Sequence, residues 1–140
     1  MAVSPLRSRL AQSLDLAESA AGTYISDDQA VPVGFTSFTM QGAFVRGSGG
    51  TTCDVFFQTS LDNGATWIDF AQWAFATTTV TRIHSVRPYT ALAANYTPTD
   101  GSLSDNTITD GLMGDRIRVK TVIVGTYAGT STLNIRGVFN

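Results

Sequence analysis

The stretch from residue 52 to residue 75 constrains the fold more than any other part of the sequence. It reads TCDVFFQTSLDNGATWIDFAQWAF, with an apolar-rich run on each side of Asp62-Asn63-Gly64. Asp, Asn and Gly tolerate the left-handed backbone that a tight reversal requires, so the stretch predicts a β-hairpin. Both faces of each arm are apolar, as the adjacent Phe56 and Phe57 illustrate, which is typical of strands covered on two sides.

Composition indicates β-structure along the whole chain. Charged residues make up 14% of the 140, with ten Asp but one Glu (Glu18) and eight Arg but one Lys (Lys120). Thr, Ser and Gly take the place that Lys and Glu hold in helical proteins, which favours strands with short turns. We therefore predict an all-β fold, a jelly-roll-like antiparallel β-sandwich of about seven or eight strands. Residues 1–20 are predicted to form an extended N-terminal arm, and residues 21–140 a single domain.

Charge and hydropathy argue against several classes of function. The formal net charge of −2 provides no basic surface for nucleic acid or for an anionic membrane. No apolar run is long enough to span a bilayer, and the N-terminal MAVSPLRSRLAQS lacks the apolar core of a secretory signal. We therefore expect no nucleic-acid partner, no membrane partner and no export by the secretory route.

Chemically reactive residue types are sparse. Cys53 is the one cysteine, so no disulfide within the chain is possible, and its place in a strand indicates a small buried apolar side chain. His84 is the one histidine and has no second ligand at zinc-binding spacing, so we expect it at the surface or in an interface. We predict no catalytic residues, no metal and no cofactor, and hence no enzymatic activity.

The hairpin turn carries a signature of its own. It matches the pattern S-x-D-x-G-x-T-W, the Asp-box hairpin known from sialidases and other β-proteins. The matching residues, which we predict to form a structural turn, are Ser60, Asp62, Gly64, Thr66 and Trp67. In such a turn the Asp carboxylate accepts hydrogen bonds from amides, Gly supplies positive φ and Trp packs the hairpin base. A sialidase repeats the hairpin around a propeller, whereas this chain has one copy, so we interpret Asp62 as a turn clamp.

The first 20 residues allow two interpretations. Leu6, Leu10 and Leu14 recur at every fourth position, which suits one face of a helix. The alternative, which we favour, is an extended arm that becomes a strand near residue 13. Such an arm has too little apolar surface to order itself and docks on a neighbour, so Arg7, Leu10 and Leu14 are candidate partner-binding residues.

The strand before the hairpin is predicted over residues 35–46, FTSFTMQGAFVR, with Phe38, Met40 and Phe44 on one face. The glycine-rich residues 47–50 end it. We expect this strand to join the hairpin as the first of three sequential antiparallel strands.

Two further strands are predicted near the C-terminus, over residues 114–126 and 132–139. The first of them places apolar residues on one face and a basic stripe on the other. The basic stripe consists of Arg116, Arg118 and Lys120. Such a stripe is either a solvated face that discourages edge pairing or a surface that meets an acidic neighbour, so its members are candidate partner-binding residues.

Residues 87–113 form the longest irregular segment. A connection of this length inside a compact domain either grips a partner or contains short strands. Tyr89 and Tyr96 are its candidate partner-binding residues, with Leu112 as a further anchor. The Asp residues of this region fall at every fifth position, which is too wide for a calcium loop and is typical of turns. They are Asp100, Asp105, Asp110 and Asp115.

Two segments of the chain resemble small virion structural proteins of tailed bacteriophages. They are DVFFQTSLDNGATWIDFAQWAFATTT and GDRIRVKTVIVGTYAGTSTLNIRGVF, and the resemblance covers about residues 35–140. In those proteins a QTSxDGGTTW-like hairpin is followed by a further strand, and an LGDRLRVKxxxxGT-like strand leads into a terminal hairpin.

The resemblance implies a non-enzymatic virion protein, most simply a head decoration or cement protein that binds the major capsid protein and stabilises the head. Head-tail connection or a tail role is the alternative within the same family. The implied partners are the major capsid protein or other virion proteins, with a homo-oligomer as a further possibility. The implied location is the virion, assembled in the host cytoplasm.

A carbohydrate-binding β-sandwich module is the alternative outside that family. It would require aromatic side chains exposed together on one face, so that they can stack on sugars. The candidates are Trp67, Trp73, Tyr89 and Tyr96. Trp67 belongs to the hairpin base and Trp73 lies within a strand, so the sequence favours core positions for both.

Overall fold

The computed structural model describes residues 9–140, and these residues fold into β-strands and turns without a helix. The strands are β1 (Arg9–Asp15), β2 (Gly22–Ile25), β3 (Gln29–Ala30), β4 (Phe38–Val45), β5 (Ser48–Gly49), β6 (Thr52–Ser60), β7 (Ile68–Phe75), β8 (Val80–Val86), β9 (Arg116–Val124), β10 (Tyr127–Ala128) and β11 (Thr132–Phe139). All pairings between them are antiparallel. Eight of the described strands have four residues or more, and the predicted all-β class is confirmed.

The strands build two sheets packed face to face. The first sheet has the order β1-β11-β4-β8, and the second has the order β2-β9-β6-β7, with β3 also paired to β9. Strands β5 and β10 form a separate two-stranded ribbon. Along the eight longer strands the chain changes sheet at every connection except the β6–β7 hairpin. This order is that of a jelly roll, so the predicted jelly-roll-like sandwich is confirmed.

Aromatic rings join the two sheets in the core. Phe44 of β4 stacks on Phe75 of β7 with ring centroids 5.1 Å apart, and Phe38 meets Phe70 edge-on at 6.4 Å. Burial raises the pKa of the nearby Cys53 thiol to about 12. Cys53 is therefore a protonated, fully buried side chain, as its position in the sequence indicated.

The N-terminal strand begins earlier than the sequence suggested. Strand β1 starts at Arg9 and not near residue 13, and all seven of its residues pair with β11. Leucines spaced by four share one face of a strand as well as one face of a helix, because four is a multiple of the two-residue strand period. The free edge of β11 decides between these alternatives. Residues 1–8, with Arg7, lie outside the described part of the chain.

The prediction that the strand before the hairpin pairs with it, as the first of three sequential antiparallel strands, is wrong. Strand β4 pairs with β11 and β8 in the first sheet, whereas β6 belongs to the second. The segment between them crosses from sheet to sheet while β5 pairs with β10. Gly50 takes a positive φ of 76° there, and a Cβ atom at this position would lie 2.2 Å from the buried ring of Tyr127. The glycine-rich residues 47–50 therefore belong to a connection between the two sheets, and they do not form a hairpin turn between β4 and β6.

Candidate functional site

The long connection from residue 87 to residue 113 lies against β7. The Asp69 amide donates to the Thr99 carbonyl at 2.8 Å, and the Gln72 amide donates to the Thr107 carbonyl at 2.8 Å. The Thr109 amide donates back to the Phe70 carbonyl at 2.9 Å. The loop therefore pairs with the edge strand of the second sheet and occupies backbone groups that would otherwise accept a foreign strand.

The same loop is tied to the outer face of the hairpin through Asp69, a fully buried carboxylate. Asp69 Oδ1 accepts a hydrogen bond from Gln58 Nε2 at 2.7 Å. Its Oδ2 accepts from Thr99 Oγ1 at 2.8 Å and from three successive backbone amides of the loop. Those amides belong to Gly101 at 2.7 Å, Ser102 at 3.1 Å and Leu103 at 3.3 Å. A buried carboxylate that accepts this many hydrogen bonds acts as a structural staple.

The basic stripe faces this staple, and its three cations form ion pairs with two carboxylates of the same chain, those of Asp28 and Asp100. Arg118 Nε donates to Gln58 Oε1 at 2.8 Å, and Lys120 Nζ lies 3.0 Å from Asp100 Oδ1. Arg116 Nε donates to the carboxylate of Asp28. The acidic partners that the stripe meets in the structure, Asp28 and Asp100, therefore belong to the same chain. A contact between the stripe and another protein stays a prediction.

Asp100 connects the loop to the stripe. Burial alone would raise the pKa of Asp100, but hydrogen bonds from Gln58 and Lys120 and the charges of Lys120 and Arg118 hold it below its ordinary value. Asp100 is therefore charged at neutral pH and forms ion pairs with the stripe, at 3.9 Å for Arg118 Nη2. The other Asp residues of the region also accept hydrogen bonds in turns: Asp105 from Gln72, Asp110 from the Arg87 amide, and Asp115 from the Asn63 amide.

The five residues of the Asp-box pattern lie in one turn. Ser60 Oγ donates to Asp62 Oδ1 at 2.8 Å, and the Thr66 amide donates to the same oxygen at 2.8 Å. Thr66 Oγ1 donates to Asp62 Oδ2 at 2.7 Å. Gly64 has a φ of 92°, which Gly adopts without strain. Trp67 lies at the hairpin base, where the Arg118 guanidinium covers its ring at 4.3 Å.

Stability of this turn should depend on acid pH through Asp62. Hydrogen bonds from Thr66 and then Ser60 lower the pKa of Asp62 from 3.8 to about 2. A carboxyl with a lowered folded-state pKa contributes stability that is present above the unfolded value and is lost as the pH falls through the folded value. We expect Asp62→Asn to flatten the decrease in melting temperature between about pH 4 and pH 2. Asp27→Asn is the control, and an equal decrease in both variants would contradict this expectation.

The aromatic residues considered for sugar stacking do not share an exposed face. Trp73 is 4% exposed and lies in the core against Phe57 at 5.3 Å. Tyr96 is partly buried, and its hydroxyl donates to the Asp69 carbonyl at 2.7 Å. Tyr89 is 68% exposed, with its ring 5.9 Å from that of Phe35. The premise of the carbohydrate-binding alternative is therefore not met by these side chains.

The two arm leucines face inward. Leu10 is 1% exposed and belongs to the core, and Leu14 packs against that core from a partly buried position. Neither side chain is presented to a neighbour as a grip. His84 of β8 is exposed, in line with the predicted surface position.

Four of the eight exposed large apolar side chains of the described residues lie in the hairpin turn, the loop before β4 and the loop after β8, at one end of the sandwich, and the other four lie on strands. We call this end of the sandwich the loop end, and its exposed apolar residues are Val33, Leu61, Tyr89 and Leu92. Leu61 and Leu92 line a cavity of about 620 Å³ that also contacts Ile68, Tyr96 and Leu112. Tyr89 was a candidate from the sequence, whereas Leu61 and Leu92 were not. The signal for Leu61 was an apolar residue at the tip of a polar turn, at a position that the Asp-box pattern leaves free.

The described residues contain no group of three or more His, Cys, Asp or Glu side chains that could hold a metal ion. Among residues 9–140 there is no helix that is long and apolar enough to cross a membrane. Comparison of the chain with protein-family models, with curated proteins and with solved structures finds no significant match.

Proposed function

We propose that this protein is a non-enzymatic structural protein of a tailed-bacteriophage virion, a decoration or cement protein that binds the major capsid protein through the loop end. The observation that carries the proposal is the set of exposed apolar side chains at the loop end, two of which, Leu61 and Leu92, line the 620 Å³ cavity. Apolar groups left exposed together on an otherwise well-packed domain mark surfaces for protein contact. The resemblance of the hairpin and β9 segments to virion proteins supplies the kind of partner.

The rest of the molecule suits a rigid attachment unit. The second sheet is covered by its own loop, and the basic stripe is paired with Asp28 and Asp100. The loop end is thus held by anchored segments: Ser60 and Asp62 fix the hairpin turn on one side of the cavity, and Asp69 fixes the loop on the other. A preorganised surface loses little conformational entropy when it binds. Many copies on one shell would add their individually modest contacts.

Binding to heads is the test. Purified protein is added to heads of the encoding phage prepared without it, and the bound copies per head are counted after sedimentation. We expect Leu61→Asp and Leu92→Asp each to weaken binding about tenfold, because each variant places a charge where an apolar side chain is buried by the partner. Ile83→Asp is the matched control, since Ile83 is 66% exposed but lies on edge strand β8.

The outcomes separate the possible roles. Saturation at many copies per head with loss in both leucine variants supports decoration. Saturation at a ring of copies at one vertex would favour the head-tail connector. Equal binding by the leucine variants and by Ile83→Asp would contradict the assignment of the loop end, and absence of any binding would contradict the virion proposal itself.

A further inference from the structure

The Asn63-Gly64 pair lies at the exposed tip of the hairpin turn. Asn63 has a φ of 55° and Gly64 has a φ of 92°. Asn63 is an exposed residue. An Asn followed by Gly is chemically labile, because glycine has no side chain to hinder attack of its amide nitrogen on the Asn side chain. The turn thus places a labile Asn-Gly pair at the surface, with Asn63 exposed and Gly64 partly exposed.

The structure also restrains the attacking atom. The Gly64 amide donates a hydrogen bond to Ser60 Oγ at 2.8 Å, and Ser60 Oγ is fixed by donating to Asp62 Oδ1. The Asn63 amide donates to both carboxylate oxygens of Asp115, at 3.1 and 3.2 Å. The backbone amides on both sides of the Asn63 carbonyl are therefore held in place. The hydrogen bond to Ser60 restrains the Gly64 nitrogen from attacking Asn63 Cγ.

We propose that Asn63 is a spontaneous deamidation site whose reaction Ser60 suppresses by holding the Gly64 amide. In the reaction the Gly64 nitrogen loses its proton and bonds to Asn63 Cγ, while the bond from Cγ to Nδ2 breaks and ammonia leaves. Water then opens the resulting succinimide. Opening at Cγ gives aspartate, and opening at the main-chain carbonyl gives isoaspartate.

Either product weakens the turn that carries it. A new carboxylate at position 63 adds a negative charge next to Asp62 in the chain, on a residue whose backbone amide contacts the Asp115 carboxylate. The added charge repels both carboxylates. Isoaspartate also lengthens the main chain by one carbon, which moves the Gly64 amide away from Ser60.

The test follows the mass of the peptide that contains Asn63 while the intact folded protein is kept in mildly alkaline buffer. We expect the Ser60→Ala variant to convert Asn63 about ten times faster than the wild-type protein does, because the hydrogen bond that holds the Gly64 amide is lost. Ser13→Ala is the matched control, because it also removes a serine hydroxyl that donates a hydrogen bond to a side chain, here to Asn134 Oδ1 in the first sheet. It should leave the rate at Asn63 unchanged.

The conversion rate at Asn106 is an internal control for loss of the whole fold. Asn106 also has a positive φ, 56°, and its side chain accepts a hydrogen bond from the Ala74 amide. Acceleration confined to Asn63 supports the proposal, as does equal, fast conversion of wild type and Ser60→Ala in urea. Equal rates in the folded proteins, a parallel rise at Asn106, or slow conversion in urea would each overturn it.

Discussion

Replacement of Asp69 by alanine should destabilise the protein by about 3–5 kcal/mol, because it removes a fully buried carboxylate that accepts five hydrogen bonds. The Thr99 hydroxyl and the backbone amides of residues 101–103 lose the acceptor they share, whereas Gln58 Nε2 keeps Asp100 Oδ1 as an acceptor at 2.6 Å. These hydrogen bonds tie residues 99–103 of the loop to the side chain of a β7 residue. We therefore expect the loop to detach before the sandwich itself unfolds.

Two measurements check this expectation. Urea unfolding gives the loss of stability, and limited chymotrypsin cleavage at Tyr89 or Tyr96 reports detachment of the loop. Asp110→Ala is the control, since Asp110 is exposed and accepts one hydrogen bond, from the Arg87 amide at 2.9 Å. It should cost about 1 kcal/mol. Similar losses in the two variants, or a protease-resistant loop in Asp69→Ala, would show that Asp69 is not the staple.

Asp69 also illustrates how far the sequence predicts this fold. The two-sided apolar pattern of the hairpin correctly indicates two covered faces, and Phe56 on the outer one is 4% exposed. The pattern does not say what covers the outer face. The cover is a segment about thirty residues further along the chain, irregular and without periodicity, and its attachment depends on backbone amides that have no side-chain signature. A carboxylate between apolar strand residues does require buried donors, and the glycine at 101 was the available hint to where they lie.

Strand pairing shows the same division between local and distant information. Alternation predicted the inward face of β4 correctly: Phe38, Met40 and Phe44 are each fully buried. Alternation fixes which face is buried but does not name the neighbouring strand, so the sheet of β4 was assigned wrongly. For β1 the four-residue leucine spacing fits both a helix and a strand. Only the unpaired edge of β11, more than a hundred residues away, decides between them.

The candidate site was less predictable than the fold. The basic stripe stood out in the sequence because charge is scarce, yet the structure pairs all three of its cations with acidic residues far along the chain. Leu61 and Leu92 did not stand out, because single apolar residues in loops are common and their meeting at one cavity depends on the tertiary fold. A jelly roll supports many functions, so the proposed attachment role depends on this surface and on its partner, and the fold alone does not provide it.

Replacement of Trp73 by alanine should destabilise the sandwich by about 3–5 kcal/mol, the range for deleting a large buried aromatic side chain. Its indole packs edge-on against Phe57 and contacts the first sheet at Gly42, where a Cβ atom would lie 2.9 Å from the ring. The strand of the first sheet therefore approaches closely through a glycine, and truncation would leave a cavity between the sheets. The carbohydrate-binding alternative instead requires lost glycan affinity at unchanged stability.

Trp67→Ala is the matched comparison, because Trp67 is partly exposed and its described ring partner is the Arg118 guanidinium. Loss of that cation–π contact and of partial burial should cost about 1–2 kcal/mol. Urea unfolding of both variants decides the matter. A Trp73 variant as stable as wild type, or one less affected than Trp67→Ala, would mean that the indole does not hold the sheets together.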